Sequence, residues 1–169
     1  MNRSYCWFAL LLAVVLPSWA EDSKDLFAAA AGGKLERVET LLAQGLNVNG
    51  KIDQDRTSLM GAAFNGNVRI AKVLLAYGAD VNMADKQGNT ALSEAVMFGS
   101  HDVVKVLIAA GANVNAADSQ GTKILDKAKK LGREPIVKLL EAAGAKGAET
   151  KASEEGDKPA ETPAEDSKK

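Results

Sequence analysis

Leu74-Leu75-Ala76-Tyr77-Gly78-Ala79-Asp80-Val81-Asn82 decides the fold, because the chain writes it more than once. Leu-Leu-Ala-Gln-Gly-Leu-Asn-Val-Asn occupies 41–49, Leu-Ile-Ala-Ala-Gly-Ala-Asn-Val-Asn occupies 107–115, and Leu-Leu-Glu-Ala-Ala-Gly-Ala occupies 139–145. Gly45, Gly78, Gly111 and Gly144 therefore fall 33 residues apart. A fixed period in the range of about 20 to 50 residues marks stacked supersecondary units, each covering an apolar face that its neighbour cannot cover alone.

Each unit reads as two short helices and a turn. In the third, Thr90 is placed to cap a helix over about Ala91 to Phe98 that Gly99 ends. A second helix is expected from about Asp102 to Ala110, where Val103, Val104, Val106, Leu107 and Ile108 are too apolar for a solvated helix and suit one held between neighbours. Gly111 takes the left-handed position that closes it, and Asn113 to Gly121 is a polar, turn-rich arm to the next unit.

Outward from the repeats, the two ends of the chain differ in kind. Met1 to Ala20 has a charged start at Arg3, an apolar run from Tyr5 to Leu16 too short to span a bilayer, a break at Pro17, and small residues at Ser18 and Ala20 before Glu21. That is the pattern of a secretory signal, with a retained membrane anchor as the alternative. Removing it takes away Cys6, Trp7, Trp19 and Tyr5, leaving Tyr77 as the remaining tyrosine and no cysteine at all. A cysteine-free chain sent to an oxidising compartment draws its stability from packing, which suits a bacterial periplasm. At the other end, 146–169 holds no Val, Ile, Leu, Met or aromatic residue, and its five lysines face seven Asp and Glu. Such a segment cannot offset its ordering entropy by burial and is expected to be a disordered tail, a solubilising segment or a spacer. The intervening block, 21–145, carries 15 basic and 15 acidic residues.

The stretch Asp85-Lys-Gln-Gly-Asn-Thr-Ala-Leu-Ser-Glu-Ala-Val-Met-Phe-Gly, followed by Val103-Val-Lys-Val-Leu-Ile-Ala-Ala-Gly-Ala-Asn-Val-Asn-Ala, resembles an ankyrin repeat nearly position for position. Thr57-Ser-Leu-Met-Gly-Ala-Ala-Phe-Asn-Gly with Leu74 to Asn82 resembles it too. The resemblance implies an all-α solenoid of four stacked helix-turn-helix units at about 22–51, 52–84, 85–117 and 118–145. It also exposes departures. Where such units carry Thr-Pro-Leu-His, this chain has Ser58, Ala91 and Ile124 at the proline position and Met60, Ser93 and Asp126 at the histidine position, so the hydrogen-bonded tie made there is expected to be missing or rebuilt. The outer units are marked as caps by charge, with Lys34, Glu36, Arg37 and Glu39 in the first and Lys123, Asp126, Lys127, Lys129, Lys130, Lys138 and Glu141 in the last. Pro135 falls in a helix's first turn, where its missing N–H costs little.

Residues that carry chemistry are scarce. His101 is the single histidine and has no partner at metal-ligand spacing, no cysteine survives signal removal, and no glycine-rich phosphate loop follows a strand. Asp85, Asp118, Glu94 and Asp126 lie on turns and helix starts, where capping accounts for them. The neutral stack lacks the basic footprint of a nucleic-acid binder. The expectation is a monomeric, non-enzymatic protein without cofactor or metal, free of the membrane once processed.

What the resemblance implies instead is recognition of a protein through the concave face formed by turn tips and first helices. Carried over by position, the helix sites are Phe64, Asn65, Met97, Phe98, Lys130 and Leu131, with Met60 and Ser93 just inside them. The tip sites are Gln54, Arg56, Lys86, Gln87, Asn89, Ser119 and Thr122. Phe64, Met97, Phe98 and Leu131 are expected to form an apolar stripe with a polar rim. An adaptor, scaffold or inhibitor follows from this; an accessory factor for a periplasmic enzyme, as in oxidative-stress defence, and an effector acting on a host protein are the other readings.

Overall fold

The computed structural model describes residues 19–147, with side chains from Asp22 onward. The expected signal up to Ser18 and the tail from 148 lie outside the described residues. Eight helices pair into four units: α1 (Trp19–Ala31) with α2 (Leu35–Ala43), α3 (Ser58–Phe64) with α4 (Val68–Ala76), α5 (Ala91–Phe98) with α6 (His101–Ala109), and α7 (Ile124–Lys130) with α8 (Glu134–Ala142). First helices pack on first helices along one row, α1 to α3 to α5 to α7, and second helices on second helices along the other. Between units the chain makes a finger closed by one antiparallel bridge, Lys51 to Thr57, Ala84 to Thr90 and Ala117 to Lys123.

The helix limits follow from local chemistry. Thr57 and Thr90 cap α3 and α5 by accepting the backbone N–H of Met60 and Ser93. The cap is reciprocal. Ser93 Oγ accepts the Thr90 N–H at 2.9 Å and donates to the Thr90 carbonyl at 2.9 Å, while Met60 Sδ accepts the Thr57 N–H at 3.5 Å. At the histidine position the second and third units thus carry a cap within the unit, made by a thioether and a hydroxyl, in place of a tie between units, while Lys123 gives α7 no side-chain cap bond. The second helix of the third unit starts one residue earlier than expected, at His101 behind the cap residue Ser100.

Second helices end at Gly45, Gly78, Gly111 and Gly144, whose φ values of 86°, 86°, 85° and 87° are the left-handed conformation a side chain would strain. Asparagines 33 residues apart then join unit to unit. Asn49 donates to the Gly78 carbonyl and accepts the Asp80 N–H, Asn82 does the same with Gly111 and Asn113, and Asn115 with Gly144 and Lys146. These bonds satisfy the carbonyl of the glycine that follows α4, α6 and α8, a group that would otherwise look to water.

The core runs unbroken between the rows. Leu26, Leu59, Leu74, Leu92, Leu107 and Leu140 are fully buried, and small residues such as Ala62, Ala63, Ala95 and Ala128 let the first helices approach closely. Each buried leucine contributes about 1.5 to 3 kcal/mol relative to exposure. The end units carry ion pairs on their outer surfaces, Arg37 to Asp25 and Lys129 to Glu141, as caps require.

Candidate protein-binding face

The fingers fold over the first-helix row, and the surface they share is where the sequence places its recognition residues. Four large apolar side chains stay exposed among the described residues: Phe64 at 38%, Phe98 at 47%, Leu131 at 46% and Tyr77 at 51%. Phe64 closes α3, Phe98 closes α5 and Leu131 caps α7. The Phe64 and Phe98 rings pack against each other with centroids 4.0 Å apart and planes tilted by 51°, joining the second and third units at the surface. Tyr77, on a second helix's end, belongs to another part of the surface.

Most other expected sites lie at the surface. Asn65, Lys130, Lys86, Gln87, Gln54 and Ser119 are exposed, and Met97 is half-buried beside Phe98. Two expectations fail. Met60 and Ser93 are buried, at 0% and 3% exposure, because their side chains are spent on the reciprocal caps of Thr57 and Thr90. A partner cannot touch them. Asn89 and Thr122 are half-buried parts of finger turns. Asp85 Oδ1 accepts the N–H of Gln87 and Asn89, and Asp118 Oδ1 that of Gln120 and Thr122.

Arg56, read as a tip residue, turns inward. Its guanidinium lies 5.3 Å from the centroid of Phe27 and 5.8 Å from that of Phe64, and 3.7 Å from Glu94 Oε1. Phe27 comes from α1 and packs against Gly61, where a Cβ would meet the ring at 3.1 Å. One arginine therefore joins three units through two rings and a carboxylate.

Glu94 corrects the capping explanation given to it. It is 6% exposed, in the floor of this face. Burial pushes its carboxyl above the usual range; Arg56 draws it down, Asp85 pushes it up and Lys127 draws it down again. Lys127, read in the sequence only as an outer charge of the last unit, donates to Asn89 Oδ1 at 3.0 Å and lies 2.8 Å from Asp118 Oδ2. The bond from Lys127 and those from the turn hold the Asp118 carboxyl below its ordinary range. Phe27, Glu94 and Lys127 share one signal that could have found them: Phe27, Met60, Ser93 and Asp126 are register equivalents, as are Gly61, Glu94 and Lys127.

The face offers apolar surface, hydrogen-bonding tips and fixed charges. Among the described residues no group of three or more His, Cys, Asp or Glu is placed to hold a metal, and no helix is long and apolar enough to cross a membrane. A family model for ankyrin repeats in three copies matches residues 21–85 and again 59–152. The chain belongs to the ankyrin-repeat family. Ankyrin repeats are a non-catalytic fold used generically for protein–protein interaction. No curated protein matches the chain.

Proposed function

We propose that this ankyrin-repeat chain is a protein-binding module of the bacterial periplasm that acts as adaptor, scaffold or inhibitor, without catalysis of its own. The observation that carries the reading is the Phe64–Phe98 pair, with Leu131 in line. Among the described residues few large apolar side chains are exposed, and three of those four lie along one face, edged by polar finger tips. Aromatic anchors at the centre and a polar rim are the composition of an interface. An ordinary interface takes roughly 800 Å² from each partner, which sets the scale of surface a partner would cover here. The signal-like pattern of Met1 to Ala20 supports the compartment; cleavage after Ala20 would leave α1 starting at Glu21.

The test is affinity capture from periplasmic extract with the full processed chain beside a Phe64→Ser, Phe98→Ser variant shown by circular dichroism to be folded. A protein retained by the first bait and lost by the second supports the reading. Equal retention by both moves the contact off this face and refutes it. Mass spectrometry of the chain recovered from a cell fraction checks both the compartment and the cleavage point.

A further inference from the structure

The sign of charge changes along the stack. Residues 21–55 carry seven acidic and four basic side chains, whereas 118–147 carry four acidic and seven basic. The change is visible at the binding face itself. The first finger presents Asp53, exposed, and Asp55, 3.9 Å from Lys51, while the second presents exposed Lys86. On the helix row, Ala31 of the first unit is followed by Phe64, Met97 and then exposed Lys130 at the equivalent positions. The charges in between are already answered: Glu94 by Arg56, and Lys127 by Asp118 and Asn89. What remains for a partner is an acidic end, an apolar middle and a basic end.

Resting on the reading that this face binds protein, we propose that its occupant is an extended segment of mixed polarity. Basic side chains meet Asp53 and compete with Lys51 for Asp55, one or two large apolar side chains cover Phe64 and Phe98, and acidic side chains meet Lys86 and Lys130. Neighbouring helices within a row stand about 10 Å apart, so the acidic and basic ends are about 10 to 20 Å from each other. An extended chain covers that distance in about three to six residues. Complementary ends fix the register and reject segments of a single sign.

The probes are three fluorescein-labelled decapeptides sharing a leucine–tryptophan centre: one flanked by two lysines on one side and two glutamates on the other, one with lysines on both sides, one with glutamates on both. Fluorescence anisotropy with the full processed chain at low salt is expected to rank the mixed peptide about tenfold tighter than either single-sign peptide, since two exposed pairs become attractive in place of one attractive and one repulsive. Lys86→Glu and Lys130→Glu together should reverse the order of the mixed and all-lysine peptides. Equal affinity for all three peptides, an unchanged order in that double variant, or no binding by any of them overturns the proposal. The folded Phe64→Ser, Phe98→Ser variant separates the two levels. If it loses peptides that bind without charge preference, the face stands and the polarity fails; if it keeps the mixed peptide, the face itself is wrong.

Discussion

Three equivalent positions, 55, 88 and 121, offer a graded test of how the fingers are built. Gly88 and Gly121 have φ of 77° and 78°, and Asp55 holds the same left-handed conformation at 61° with a side chain. At Gly121 an added Cβ meets nothing within 4 Å, so Gly121→Ala carries only the backbone term. That term is about 1 to 2 kcal/mol, reduced by about 0.4 to 1 kcal/mol because alanine also restricts the unfolded chain. At Gly88 the added carbon would sit 2.8 Å from Ser119 N and 3.0 Å from the Asp118 carbonyl carbon. The third finger must then back away, stretching the 2.8 Å bond from the Ser119 N–H to the Gln87 carbonyl. A lost bond of about 1 kcal/mol and overpacking of about 1 to 3 kcal/mol come on top of the backbone term. Gly88→Ala should thus cost about 3 kcal/mol and Gly121→Ala about 1 kcal/mol, while Asp55→Gly should be neutral or stabilise by about 0.5 kcal/mol. Urea unfolding followed by far-ultraviolet circular dichroism reads all three as midpoint shifts at constant slope. Equal losses for Gly88→Ala and Gly121→Ala would refute the claim that finger-to-finger contact, rather than turn conformation, holds this edge of the stack.

Other expectations follow from the polar groups of the face. Because the Glu94 carboxyl is raised in the native state, that state holds its proton more tightly than the unfolded chain, so the stability linked to Glu94 falls as pH rises from about 4.3 through the native value. Glu94→Gln should flatten that fall and leave the protein at least as stable as the wild type at pH 7, measured by thermal unfolding against pH. Asp118 has the opposite sign: its lowered carboxyl contributes stability above its unfolded value that is lost as pH falls through the native one. Asp118→Asn keeps an oxygen for the Gln120 and Thr122 N–H groups and should remove only the Lys127-linked part, seen as a weaker acid dependence in the same scans. Ser93→Ala strands the buried Thr90 N–H and should cost about 1 to 3 kcal/mol in urea, whereas Ser58→Ala, whose buried hydroxyl has no partner, should be neutral or stabilising.

The period and the helix limits were legible because each is written in residues close in sequence. Thr90, Gly99 and Gly111 carry their own conformational instructions, whereas the joints made by Asn49, Asn82 and Asn115 showed only as part of the repeat, since their partners lie in the next unit. Burial on the binding face was not legible in the same way. Met60 and Ser93 lie one helical turn before the exposed Phe64 and the half-buried Met97, and their inward turn depends on the caps they complete. Arg56 looks like any polar tip until Phe27 and Phe64, from two different units, supply rings on which its guanidinium rests. Glu94 reads as an ordinary first-turn acid, and its burial exists only once the second finger, α3 and α7 close around it.

This distribution of order bears on how such a face recognises anything. In a stack with nearest-neighbour coupling the end units are held from one side and the middle units from both. Phe64 and Phe98 close the two middle first helices, and Arg56 and Glu94 fasten the finger above them to the helices below. The anchors therefore sit on the part of the molecule that opens least often, and little ordering cost remains to be met when a partner arrives. The charged groups that differ from end to end lie on tips and on the last turn of α7, where they can be exchanged without touching the core. A surface divided this way can change its partner by changing its rim, while the apolar centre and the packing beneath it stay as they are.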